Sequence, residues 1–190
     1  KPTSLTLLGI WILSLLAMIF TGIEFGSSHS NYGISTEKNE LNFVANDTLS
    51  IKMVNDDTIL YRHNLRRTSG KEEILIDGEK KVYSSYINVN VERSNSEESY
   101  MIIQKESRGK NKLSAKNNSK KIEYDFEIVD NTIVLDAFFL SDFKNIWKEE
   151  KINIAIFIPE GVTVFFDNST RNFLYDIENT GDIRDRDMAK

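Results

Sequence analysis

The run from Pro2 to Ile23 contains no charged residue, and its stretch from Leu5 to Phe20 is nearly all apolar. A bilayer's hydrocarbon core takes about 20 apolar residues as a helix, and a helix satisfies its own backbone hydrogen bonds inside lipid. The run is long enough, so the sequence predicts a transmembrane helix over residues 3–25. Gly9, Ser14 and Ala17 are small residues of the kind that let such helices approach one another. Two other readings compete. A secretory signal has an apolar region of roughly 7–15 residues before a small-x-small cleavage site. Here the run is longer and no clear Ala-x-Ala follows it. A buried soluble helix would show a polar face, and none appears before Glu24.

Lys1 precedes the run, while Glu24, Glu37 and Glu40 outnumber Lys38 after it. The excess of basic residues on cytoplasmic flanks predicts a cytoplasmic N-terminus and a periplasmic remainder. Because Lys1 is not a methionine, the chain is expected to be part of a longer protein. Residues 26–40, with Gly26, Ser27, Ser28, His29, Ser30, Asn31 and Gly33, read as a flexible linker. Residues 181–190 read as a polar tail.

Over residues 41–180 the dominant period is two. Ile87, Val89 and Val91 alternate with Asn88, Asn90 and Glu92, and Ile122, Tyr124, Phe126 and Ile128 alternate with acidic residues. Ile152, Ile154, Ile156 and Ile158 share one face of a further strand. Such alternation marks half-buried strands. Turn chemistry falls between them at Asn55-Asp56-Asp57, Asp77-Gly78, Asn95-Ser96, Asp130-Asn131, Pro159-Glu160-Gly161 and Asp167-Asn168. The expected fold is mainly β: one N-terminal transmembrane helix followed by a β-solenoid-like or sandwich-like domain. Phe139, Phe143, Ile146 and Trp147 fall at near-helical spacing, which predicts a short helix or loop capping the core, with a docking surface as the alternative.

A membrane helix followed by Trp147-Lys148-Glu149-Glu150-Lys151-Ile152-Asn153-Ile154-Ala155-Ile156-Phe157-Ile158-Pro159-Glu160-Gly161 resembles the C-terminal part of Bacteroidetes-type phage-shock-protein C (PspC) proteins. Ser107-Arg108-Gly109 and Ile133-Val134-Leu135-Asp136 fit the same pattern, and the resemblance extends over residues 5–180. It implies a β-rich Toast-rack domain, similar to adhesin-like β-solenoids, further membrane helices upstream, and a role in envelope stress or membrane organisation. It carries over no catalytic residue, because the matched motifs are strands and turns.

The residues themselves offer little chemistry. There is no cysteine, so thiolate metal sites and cysteine nucleophiles are excluded. A nucleophilic triad needs a histidine beside a serine. The two histidines are His29, in the expected linker, and His63, in the basic stretch Tyr61 to Arg67, and no Gly-x-Ser-x-Gly accompanies them. Both read as surface residues. Asp56-Asp57-Thr58 lacks the glycine of an aspartic-protease motif, and Asp182, Asp185 and Asp187 lack the glycine and glutamate of a calcium loop. No catalytic, cofactor or metal residue is expected, and a net charge of −5 argues against nucleic acid.

One polar feature stands out. Lys105, Arg108, Lys110, Lys112, Lys116, Lys120 and Lys121 face only Glu106 within a stretch read as a long exposed loop. Such a cluster attracts anionic lipid headgroups or an acidic polymer, and otherwise simply keeps a sheet edge soluble. The expected protein is a non-enzymatic component of the bacterial inner membrane. Its partners are the bilayer and other membrane helices or envelope proteins. The alternatives are a membrane-tethered hydrolase with a carboxylate site and a structural subunit of a membrane complex.

Overall fold

The structure is a computed structural model and describes residues 2–56, 70–177 and 184–189. Helix α1 (Pro2–Ser28) leads into β1 (Asn31–Leu41) and β2 (Thr48–Val54). Then come β3 (Lys71–Ile76), β4 (Glu79–Ser84), β5 (Ile87–Arg93) and β6 (Ser99–Gly109). A short helix, α2 (Lys112–Ser119), precedes β7 (Phe126–Val129), β8 (Thr132–Asp136) and β9 (Phe139–Asp142). Strands β10 (Lys151–Ile158) and β11 (Thr163–Phe166) follow, with one last helical turn, α3 (Asp185–Met188).

Helix α1 spans 27 residues, about 40 Å at 1.5 Å per residue. Its hydroxyls turn inward on its own backbone: Ser14 Oγ donates to Trp11 O at 2.9 Å and Thr21 Oγ1 to Ala17 O at 2.8 Å. No part of its apolar run is buried against the rest of the chain. It is the helix that length and composition fit to a bilayer.

The strands form three open sheets. The first runs β1-β6-β10-β5, the second β11-β2-β8-β7 and the third β3-β4-β9. Neighbours are antiparallel except β10 with β5, β11 with β2 and β2 with β8, which are parallel. Parallel pairs need crossover connections, so the chain passes repeatedly between layers. The first two sheets share one core, in which Val89, Ile103 and Ile154 meet Leu49, Ile51, Ile133 and Leu135, all at most 1% exposed. The third sheet carries a smaller cluster, Ile74, Tyr83 and Phe138, with the two rings stacked at 5.1 Å. The domain is mainly β, as expected, with sandwich-like or solenoid-like open sheets. Its turns use the expected residues: Asp77 and Gly78 both take positive φ in the two-residue β3–β4 hairpin, and Asp130 does so between β7 and β8.

Three expectations change. Residues 26–40 are not a linker: α1 continues to Ser28 and β1 starts at Asn31. Locally this stretch carries only Tyr32 and Ile34 as large apolar residues, both exposed, but β6 pairs with β1 along its length, from Asn31↔Gly109 to Leu41↔Ser99. The Ile122–Ile128 alternation is not one strand. Glu123 exchanges both backbone bonds with Leu140, at 2.8 and 3.0 Å, whereas Phe126 pairs with Leu135 in another sheet. Ile128 is accordingly left 44% exposed. The Phe139–Trp147 segment begins as β9 and only then makes one 3-10 turn, Phe143–Asn145, capped by Asp142 Oδ1 on Lys144 N.

Candidate functional site

The basic segment is strand, turn and helix rather than a loop. Lys105, Ser107 and Gly109 occupy the inward positions of β6. Helix α2 lies close over β1 and β6 because both strands carry glycine beneath it. A Cβ built on Gly33 would stand 2.1 Å from Lys116 N, and one on Gly109 would stand 2.4 Å from Ala115 N. Asn111 caps the helix, accepting from Ser114 N at 2.8 Å.

This architecture divides the seven basic residues. Lys105 is 7% exposed and donates to Glu37 Oε1 at 2.9 Å. Arg108 donates through Nε and Nη2 to Glu149 Oε2 at 2.9 and 2.6 Å, through Nη1 to His29 O at 3.0 Å, and lies 4.0 Å from the Tyr32 ring centroid. The hydrogen bond from Arg108 holds the Glu149 carboxyl below its ordinary pKa. These two residues are therefore engaged within the fold. Lys110, Lys112, Lys116, Lys120 and Lys121 are exposed and make no ion pair among the described residues.

His29, expected to be an idle linker residue, sits at the joint between helix and domain. Its Nε2 lies 3.1 Å from Trp147 O and its Nδ1 2.9 Å from Phe25 O. His63, Asp57, Thr58 and Asp182 lie outside the described residues.

Beside this joint opens a cleft of about 620 Å³, walled by Tyr32, Tyr86 and Trp147 and floored by Lys71, Lys148 and Glu150. Glu150 is 2% exposed. Its Oε2 accepts from Ser141 Oγ of β9 at 2.6 Å, and its Oε1 from Ser107 Oγ of β6 at 3.1 Å. Lys71 of β3 places Nζ 3.8 Å from Oε2 and donates to the carbonyls of Asn145 and Lys148. Desolvation outweighs the attraction at this distance, so the Glu150 pKa is raised and the Lys71 pKa lowered. Both serines are fully buried, so neither hydroxyl meets a molecule in the cleft. Chemically the group is a clasp tying the first sheet to the third. Sequence reading missed it, since Glu150 is one of four charged residues in succession, Lys148 to Lys151.

A second, smaller depression is acidic, lined by Asp56, Asp125, Asp136 and Glu123. No group of three or more potential ligands is placed to hold a metal among the described residues. Burial, then the charge of Asp125, raises the Asp136 pKa to about 6. A carboxyl whose pKa is higher folded than unfolded binds more protons when folded, so it penalises stability above the folded value and stops doing so below the unfolded one. Asp136→Asn is therefore expected to stabilise the protein at pH 8, by about 1 kcal/mol once solvent screening is allowed for. The gain should shrink below pH 6 and vanish near pH 4, close to the ordinary carboxyl value of 3.8. Urea titrations at the two pH values check this; a pH-independent difference contradicts it.

Residues 75–190 match the family model described as a ToastRack found in some PspC. The matched range includes β4 to β11, while α1, β1 and β2 precede it. The apolar helix thus lies at the N-terminal end of the chain and outside the match. Even so, β2 is an interior strand of the second sheet, and β1 closes an edge of the first. No curated protein matches the chain. Among solved structures, the crystal structure of a "putative adhesin" from Parabacteroides merdae ATCC 43184 shares 12% identity with a TM-score of 0.28. That alignment covers 71% of this chain and 35% of the other, about a third of its length.

Proposed function

This chain belongs to the Toast-rack family found in some PspC proteins, and we propose from that premise that it is a non-catalytic, membrane-anchored module of the bacterial envelope. It works by contact, in envelope stress or membrane organisation, with α1 in the inner membrane and the β domain on the periplasmic side. The observation that carries the reading is the direct passage of a helix whose run from Pro2 to Ile23 is uncharged and uncovered into the first strand of the domain. Family membership supports the non-catalytic part. So does the cleft, whose buried carboxylate is saturated by two inaccessible serines and a lysine. The five exposed lysines from Lys110 to Lys121 supply attraction to anionic headgroups.

The chain expressed in a bacterium should stay in the membrane pellet through an alkaline carbonate wash. Externally added protease should reach the β domain in spheroplasts. Release into the wash removes the anchor from the proposal, and protection in intact spheroplasts reverses the topology.

A second reading, a subunit packed within a larger membrane assembly, is favoured by one feature of α1. Gly22 and Gly26 stand at Gly-x-x-x-Gly spacing with open space around both.

A further inference from the structure

The joint between α1 and the domain has no slack. Only His29 and Ser30 separate the helix from β1. His29 holds Trp147 O, Arg108 holds His29 O, and Asn31 Nδ2 donates to Lys110 O at 3.1 Å. From Ile23, where the uncharged run ends, to His29 is six residues, about 9 Å of helical rise. The polar layer on each side of the hydrocarbon core is roughly 5–8 Å deep. A helix spanning the bilayer therefore places this joint at the outer edge of the headgroups, with the domain directly against them.

What the fold leaves bare at the joint suits that location. Trp147 is 75% exposed although its backbone is pinned to His29. Leu113, in the first turn of α2, is 70% exposed. The exposed lysines Lys110, Lys112 and Lys116 flank it and make no ion pair among the described residues. Tryptophan favours the headgroup level because its ring is apolar and its N–H polar, and lysines beside it meet phosphate.

Building on the anchored reading above, we propose that this end of the domain is a membrane seat, with Trp147 and Leu113 entering the headgroup layer of a phospholipid surface and Lys110, Lys112 and Lys116 meeting its anionic lipids. The domain then stands on the bilayer in a fixed attitude. It does not swing on a tether.

The chain has two tryptophans, Trp11 near the middle of the apolar run and Trp147. The 190-residue chain carrying Trp11→Phe, in phosphatidylethanolamine–phosphatidylglycerol vesicles, reports Trp147 alone, and the same chain carrying Trp147→Phe reports Trp11 alone. Lipids brominated near the headgroup or near the chain end read the depth of each ring, and aqueous iodide reads its exposure. Trp147 is expected to be quenched several-fold more by the shallow label than by the deep one and to be shielded from iodide. Lys110→Gln/Lys112→Gln/Lys116→Gln should reduce the shallow quenching. Trp11 should respond to the deep label. If Trp11 responds to the deep label while Trp147 is open to iodide and blind to both labels, the seat is wrong and the anchor stands. A Trp147 shielded from iodide and lipid labels alike is covered by protein, which also overturns the seat. A Trp11 blind to every lipid label removes the anchor itself.

Discussion

Ile154→Asp is expected to unfold the β domain at temperatures where the parent is folded. Ile154 is 1% exposed at the centre of β10, an interior strand of the first sheet, between Ile103 of β6 and Val89 of β5. A carboxylate there has no partner within the cluster of aliphatic side chains and must be buried charged, take up a proton or open the sheet. Together with the lost apolar contact, the change costs about 4 kcal/mol or more, a large part of the roughly 5–15 kcal/mol that holds a domain together. Ala155→Asp adds the same charge one residue along, on the half-buried opposite face, and should cost under about 1.5 kcal/mol. Denaturant midpoints of the two variants decide the matter. Equal midpoints would mean that the inward and outward faces of β10 have been interchanged.

That register was legible in the sequence because four isoleucines at alternate positions, Ile152 to Ile158, carry it without help from any partner. The neighbouring strands were legible only where their inward positions were apolar. At the α1 end of the first sheet those positions turn polar. Gly33 and Ser35 point inward on β1, and Lys105, Ser107 and Gly109 on β6. Four of the five are answered by something distant in sequence: α2 over the glycines, Glu37 on Lys105, Glu150 on Ser107; the buried Ser35 hydroxyl has no hydrogen-bond partner among the described residues. A stretch of Gly, Ser and Lys whose inward code is written in hydrogen bonds looks like linker or loop when read locally. This is why residues 26–40 and the basic segment read locally as linker and loop, while α1 and the Ile152–Ile158 strand read as what they are. Asn153 shows the same limit on the outer face of β10. It donates to Glu106 at 2.7 Å and accepts from Asn88 at 3.0 Å, so it is half of a network that alternation alone assigns to solvent.

The second large effect is expected at the clasp. Glu150→Ala removes the acceptor of both Ser107 and Ser141 and the counter-charge of Lys71, whose side chain is only 15% exposed. Breaking a buried pair from one side leaves the other charge uncompensated, at about 3–5 kcal/mol, and two buried hydroxyls lose their partner as well. Glu150→Gln keeps a carbonyl for one serine and removes the desolvated charge, so its loss should be well under half as large. Replacing the pair together, Lys71→Met with Glu150→Leu, should cost less than Glu150→Ala alone, because it leaves no stranded ion. The pH dependence separates these variants further. A Glu150 pKa raised by burial penalises the folded state above its own value, and the penalty is lost on acidification toward the unfolded value. The parent should therefore gain on the glutamine variant as the pH falls through that window. Denaturant unfolding of the full chain in detergent micelles measures all three variants. If Glu150→Ala stays within about 1 kcal/mol of the parent, the clasp carries no stability. If Glu150→Gln leaves stability untouched but abolishes a hydrolytic activity, the carboxylate belongs to catalysis and the non-catalytic reading of the cleft fails.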